Sequence, residues 1–588
     1  MKSIAGAPRP FLKAVWLLPL IALVQPAVAA TSTDDLQMTN LAGTYLAART
    51  ADAEKDMARA SQFFRDAYQV DPDNTYLLER ALILTAASGD VAASFRLADD
   101  LIGKAPETRA AHLIAAVSRI KDKRYPEAIK ELDLSGTGVL ADLTNGLLGA
   151  WAYLGEGEVD KALDRVGALK GEEWYGPFKF LHSGYIALAA GRTDAALQAF
   201  AKAHQLDSNA VRVSQAYATA LALAGRKDEA QKVLNDFLNR YPDNALARNT
   251  LDAITAGNKP DGGVGTPAQG AAEVLAGIGT AVGEEGGLEL SALYLQLALN
   301  LEPQTGGGVA ALSLGNILDT NGQSESAITA LQSIDANAPF RALGILRAAI
   351  ALDRLDRTEE AEKAFQEAVQ RNPNDIQARI AYGNMLRGRE RFADSAKLYS
   401  EAIDRIGVPK RGDWTLFYFR GISYERTHDW PKAEADFKKA LELYPDQPLV
   451  LNYLGYSWVD KGMNFDQALD MIKKAVELRP SDGYVVDSLG WAYYRLGRYD
   501  EAVTQLEKAI ALRSDDPVIN DHLGDAYWRV GRTLESQFQW RHSRDFGAKS
   551  PDLDVIVKKI AEGRLIDAPP PMKAEIDGSA PAPAPSNL

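Results

Sequence analysis

One unit recurs four times between Trp414 and Trp540, and this repetition limits the fold more than any other feature of the chain. Gly421, Gly455, Gly490 and Gly524 stand 34, 35 and 34 residues apart, and Tyr424, Trp458, Tyr493 and Tyr527 each follow their Gly by three. Ala433, Ala468, Ala502 and Ser536 come next in step, then Phe437, Ile472, Leu506 and Trp540; Pro445 and Pro480 close the first two copies. A period of this length means stacked helix pairs, each burying an apolar face against its neighbours. Gly455 to Ala468 is 13 residues where the three counterparts are 12. The extra residue falls in Lys461-Gly462-Met463-Asn464, where a turn between helices can absorb it. Gly490, Ala502 and Ala509 are small enough for two antiparallel helices to approach, and Leu489, Tyr493 and Leu506 fill the seam. Gly497 is placed to end the first helix, since Gly takes positive φ cheaply, and Asp516-Pro517 to cap and start the next.

The pattern of small residue, aromatic, two Ala, large apolar residue and closing Pro resembles the tetratricopeptide repeat. Weaker copies extend it through the chain. Ala60, Phe64, Ala67 and Pro72 mark the first, and Pro106 follows one period later. Ala128, then Gly149, Tyr153 and Ala162, carry two degenerate units; Gly184, Ala196, Phe200 and Ala203, then Ala218, Ala230, Leu234 and Pro242, carry better ones. Downstream come Gly279, Tyr294, Leu295, Ala298 and Pro303; Gly315, Ala327, Leu331 and Pro339; Ala349, Ala361, Phe365, Ala368 and Pro373; and Gly383, Tyr399 and Ala402. The count predicts an all-α solenoid of about fourteen antiparallel helix pairs. The resemblance implies a right-handed superhelix in which the first helix of each pair lines a concave groove.

Residues 1–30 read as a signal peptide. Lys2, Arg9 and Lys13 precede the apolar run from Ala14 to Val24, and Ala27-Val28-Ala29 supplies small residues for cleavage. No other apolar run approaches the length of a membrane span. The chain has no Cys, which excludes disulfides, thiolate chemistry and a lipid-carrying Cys. Together these features predict a periplasmic protein with no transmembrane span after cleavage. The formal charge of −14 becomes −17 once the three leader cations are removed, an acidic balance that argues against nucleic acid as a partner. Helical repeats are expected over 31–256 and 271–548. Residues 257–270 read GNKPDGGVGTPAQG, a Gly/Pro-rich loop that is either a hinge between two solenoid halves or an insertion within one unit; the helical pattern resuming at Ala271 favours the insertion. A capping helix is expected over 549–566 and a disordered Pro/Ala-rich tail over 567–588.

Catalytic motifs are lacking: there is no G-x-S-x-G, Walker loop, H-E-x-x-H or dinucleotide fingerprint. The six His hold no metal-ligand spacing on one helix face. The expectation is a non-enzyme without cofactor or metal. What remains is surface. Applying the implied groove face to the strong units selects Tyr418; Asn452, Tyr453 and Tyr456; Tyr484, Asp487, Trp491 and Tyr494; and Asp521, His522, Asp525 and Trp528. Aromatics interleaved with polar residues suit capture of a peptide, with Trp491 and Trp528 expected to be exposed. The bland alternative is that many of these rings pack between units as core.

The predicted function is a non-catalytic periplasmic scaffold or adaptor binding proteins or peptides. The layout looks like that of a long periplasmic repeat-protein adaptor of a carboxyl-terminal processing protease, on motifs such as Leu454-Gly455-Tyr456 and Asp487-Ser488-Leu489-Gly490-Trp491. That resemblance implies an envelope protease or its peptidoglycan-hydrolase substrates as partners, although this chain lacks a lipid-anchoring Cys. Two alternatives stay open: an envelope polymer-export factor stacking sugars on its aromatics, and an enzyme site built from Asp487, Asp521, His522 and Asp525.

Overall fold

The computed structural model describes residues 40–258, 260 and 264–566; the expected leader, the polar stretch before Asn40 and the tail 567–588 lie outside them. The described residues form α-helices with short turns and no strand. Six antiparallel pairs come first. They are α1–α2 (Leu41–Ala53, Met57–Val70), α3–α4 (Thr75–Ala87, Val91–Lys104) and α5–α6 (Arg109–Lys121, Tyr125–Leu134). Then follow α7–α8 (Val139–Gly155, Val159–Ala168), α9–α10 (Tyr175–Ala189, Thr193–Leu206) and α11–α12 (Val211–Leu223, Lys227–Arg240). A single helix, α13 (Ala245–Thr255), stacks on α11 and α12. Two pairs follow the loop: α14–α15 (Pro267–Glu284, Leu288–Leu301) and α16–α17 (Val309–Thr320, Ser324–Gln332). The last six are α18–α19 (Arg341–Arg354, Thr358–Arg371), α20–α21 (Ile376–Gly388, Phe392–Ile403), α22–α23 (Trp414–Arg426, Trp430–Leu443), α24–α25 (Pro448–Lys461, Phe465–Leu478), α26–α27 (Gly483–Arg495, Tyr499–Leu512) and α28–α29 (Pro517–Arg529, Thr533–Asp545). Helix α30 (Asp552–Glu562) closes the array. The pairs number fourteen, as the periodicity predicts.

The repeat consensus works as notch and knob. A Cβ added to Gly421 would stand 2.7 Å from Phe437, on Gly490 2.5 Å from Leu506, and on Gly524 2.5 Å from Trp540. The knobs are fully buried, as are Ala433, Ala440, Ala502 and Ala509 beside them. Each buried large apolar side chain stabilises by roughly 1.5–3 kcal/mol. The extra residue of the second strong unit is taken up at the α24–α25 turn, where Gly462 and Asn464 both adopt left-handed backbone, with φ of 74° and 46°. Asp516 accepts hydrogen bonds from the Val518 and Ile519 amides, capping α28.

The Gly/Pro-rich loop leads somewhere the sequence did not indicate. α14 does not pair with α13. It turns back into the N-terminal half and lies against α7, α5 and α9, while α15 lies against α3 and α5. These are all first helices of their pairs, so first helices line the inner face. Small residues permit the approach: a Cβ on Gly270 would sit 2.0 Å from the Trp151 ring. Arg212 of α11 grips Glu273 of α14 through two hydrogen bonds of 2.6 and 2.8 Å. Arg80 of α3 reaches both carboxylate oxygens of Glu289 on α15 at 2.9 Å. The N-terminal solenoid is therefore wound round its own helical hairpin. On its far side, the α12–α13 turn at Asp243 comes against α20 and α22, where Ile376, Ile380 and Leu416 line a cleft of about 320 Å³.

Candidate protein-binding surface

With the N-terminal inner face filled, the inner face of the C-terminal half is carried by α18, α20, α22, α24, α26 and α28. The selected residues fall into two groups on it, with one outlier.

Around α22 and α24, Tyr418 packs edge-to-face on Tyr453, ring centroids 5.9 Å apart. Tyr418 is buried, and burial pushes its hydroxyl up to about 12. Tyr453 and Tyr456 are half-buried, and Tyr453 donates to Glu425 at 3.3 Å. Burial, with Asp487 and Asp460 nearby, raises the Tyr456 hydroxyl well above its ordinary value. Both rings therefore stay neutral at physiological pH and act as donors or apolar surface. Asn452, which precedes them on α24, has its carbonyl oxygen buried and without a hydrogen-bond partner.

Around α26 and α28, Trp491 is stacked between Tyr494, at 4.8 Å and 9°, and His522, at 4.1 Å and 16°. Its exposure is only 8%. The expectation that Trp491 is open to solvent is thus corrected: the ring one repeat on, His522, covers the face that an isolated helix would show. Trp528 keeps partial exposure and leans on Trp540. His522 donates from Nδ1 to both Asp487 oxygens, at 2.9 and 3.1 Å. Burial opposes its charging, but the Asp487 carboxylate prevails and holds the imidazole above its ordinary pKa. Tyr494 is buried, with its hydroxyl accepting from Arg529 at 3.3 Å. The outlier is Tyr484, at the start of α26, 48% exposed with the Arg513 guanidinium over its ring.

Asp521 and Asp525 are covered. The Lys559 ammonium of α30 donates to both Asp521 oxygens at 3.0 Å and to Asp525 at 2.7 Å. Asp525 also accepts from the Trp540 indole at 2.8 Å. Burial, reinforced by Asp521, lifts the Asp525 carboxyl to about 6. Lys559 is the member of this cluster that sequence reasoning missed. The capping helix expected over 549–566 is present as α30, but nothing in its sequence pattern distinguishes the buried Lys559 from the solvent-facing Lys558. Of the acids weighed as an enzyme site, Asp521 and Asp525 meet Lys559 and Asp487 meets His522. Among the described residues no group of three or more His, Asp or Glu is arranged to hold a metal ion.

Four tetratricopeptide repeat family models match this chain: one described as TPR repeat over residues 490–531, and three as tetratricopeptide repeat over 187–254, 346–407 and 414–447. These stretches of the chain carry tetratricopeptide repeats. A relative, TPR repeat-containing protein PA4667 of Pseudomonas aeruginosa, is 26% identical over 154 residues, or 26% of this chain and 25% of that protein. This tetratricopeptide repeat chain thus matches about a quarter of that relative's length. Solved structures similar in fold include the APC/C hetero-tetramer Cut9-Hcn1 (14% identity, 89% of this chain and 96% of that chain, TM-score 0.36). Naa15/Naa10 bound to HypK-THB gives 12% identity over 89% of this chain and 99% of that chain, with TM-score 0.31. YrrB, described as a TPR protein with an unusual peptide-binding site, gives 21% identity over 33% of this chain and 98% of that chain, with TM-score 0.26. The tetratricopeptide framework is a protein–protein interaction scaffold, and no helix among the described residues is long and apolar enough to cross a membrane.

Proposed function

We propose that this tetratricopeptide repeat protein is a non-catalytic periplasmic adaptor that holds a partner protein on the concave face of its C-terminal half and delivers it to an envelope protease. The observation that carries the reading is the division of the inner surface. The N-terminal part is filled by α14 and α15, while the stretch over α22 and α24 presents the half-buried rings of Tyr453 and Tyr456. An aromatic surface edged by polar groups suits a polypeptide, since rings supply contact area and the polar rim can pair with backbone groups. The periplasmic assignment rests on the leader pattern of residues 1–30, and the protease role on the likeness of layout.

The test is capture from an envelope extract by full-length mature protein, compared with Asn452→Arg and with Trp174→Ala, an exposed site in the N-terminal half. The reading expects a processing protease or a cell-wall hydrolase held by wild type and by Trp174→Ala, and reduced at least tenfold by Asn452→Arg with the melt unchanged. Equal capture by all three proteins would move the site elsewhere on the solenoid.

A further inference from the structure

The seat of α30 has the composition of a ligand site. Lys559 is 4% exposed at its side chain, enclosed by Asp521 and Asp525 of α28 and lying over the Trp540 ring. Ile556 is buried beside it, with Leu553, Val555 and Ile560 half-buried, while Val557 and Lys558 face solvent. The pattern read by the seat is therefore aliphatic residues at 553, 556 and 560 with a lysine at 559, one face of an amphipathic helix. The same mode recurs at the other end of the molecule, where α14 lies on the inner face with the Glu273–Arg212 pair at the contact. Both ends of the inner surface thus accept helices, each fixed by a shielded ion pair.

We propose that this seat is a binding site for a lysine-bearing amphipathic helix of a partner protein, held in cis by α30 and exchanged when the partner docks. The proposal rests on the reading of the C-terminal concave face as the interaction surface, and names the partner element that the face takes. Two further observations support it. α30 leaves polar groups unmet on the same face: the Trp491 indole N–H, on a side chain more than nine-tenths buried against His522, has no hydrogen-bond partner, and neither does the Asn452 carbonyl. Asp552, at the start of α30, adds a small push to the raised Tyr456 hydroxyl after burial, Asp487 and Asp460. Exchange also conserves the costly feature of the seat. Removing the lysine from Asp521 and Asp525 leaves buried carboxylates unpaired, whereas replacing it with another lysine keeps every charge compensated.

The probe is a fluorescein-labelled peptide of residues 550–565, together with its Lys559→Glu form. The proteins are the full-length chain, the full-length Ile556→Asp/Lys559→Glu variant with α30 unseated, and that variant carrying Asp521→Asn/Asp525→Asn. The proposal expects the unseated chain to bind the peptide at least tenfold more tightly than wild type does, to reject the charge-reversed peptide, and to lose binding when the two acids are amidated. An unseated chain that melts like wild type yet shows no preference between the two peptides overturns the proposal. If the unseated chain does not fold, hydrogen exchange of α30 in the wild-type chain decides: faster exchange under excess peptide supports exchange in trans, and unchanged exchange overturns it. Asn452→Arg in the unseated background separates the two readings. Peptide binding retained alongside lost capture leaves the seat standing, and capture retained alongside absent peptide binding leaves only the adaptor reading.

Discussion

At the scale of the residue, Gly270 decides whether the N-terminal half can close. Its Cα faces the Trp151 ring so closely that a methyl group would stand 2.0 Å from two ring carbons. Trp151 has nowhere to go: it is fully buried and its indole N–H donates to His182 Nδ1 at 3.1 Å. Gly270→Ala is expected to destabilise by about 1–3 kcal/mol or more, the cost of overpacking. Gly103→Ala, on a helix face with nothing within 4 Å, should stabilise by about 0.5–1 kcal/mol through helix propensity. Paired urea melts check both signs, and equal midpoints for the two variants would show that α14 does not press on α7. The notches at Gly421, Gly490 and Gly524 were legible because the large residue that fills each recurs at the same period. Gly270 was not legible, since its partner lies far away in sequence and outside any repeat register. Trp491 misled for a related reason: its face is the groove face, but whether that face is open depends on His522 from the following unit.

At the scale of the element, α14 and the helices that clasp it should respond to acid. Burial depresses the His182 imidazole to about 4, opposed by the Glu273 carboxylate and assisted by the Arg212 guanidinium. The neutral form is the one the structure uses, since Nδ1 accepts from Trp151. A folded pKa below the unfolded value means that the unfolded chain takes the proton first. The stabilisation is present in full above pH 6.5 and is lost as pH falls from 6.5 towards 4. The gap of about 2.5 units corresponds to roughly 3 kcal/mol. His522 has the opposite sign: Asp487 overcomes burial and raises it, so its contribution is complete below pH 6.5 and fades as pH rises through the folded pKa. Hydrogen exchange by segment should therefore show α7, α9 and α14 loosening on acidification from pH 7 to 4.5, while α26 and α28 do not follow. His182→Gln, which keeps an acceptor without a titration, should abolish that slope. A slope that survives the substitution assigns it to other groups. The sequence marked 257–270 as a break because Gly and Pro interrupt the apolar period. It could not show the destination of α14, because an inward-facing helix and one inserted in a pair share the same apolar pattern.

At the scale of the whole molecule, the two halves differ in how they hold together. A solenoid whose units touch only their neighbours unfolds by degrees from its weakest end. The N-terminal half breaks that rule. Arg80 meets Glu289 across 209 positions, Lys121 meets Asn300 across 179, and Lys55 meets Asn321 across 266. These contacts join the turns and inner faces of the first three pairs to α15 and α16, so no early pair can leave without uncovering the hairpin. Between α18 and α25 the principal contacts run between neighbouring elements, and α30 fastens only the far end. Native-state hydrogen exchange in low urea is therefore expected to show α1 to α17 opening with one shared denaturant dependence, while α18 to α25 open with graded ones. Arg80→Met should split the first group by freeing α1 to α4 ahead of the rest, since it removes the grip on α15 without emptying the core. Graded opening from α1 in the wild-type chain would mean that the hairpin is a passenger. A single shared opening makes the N-terminal half a rigid support, and leaves conformational adjustment to the half proposed above to hold a partner, where docking needs local freedom.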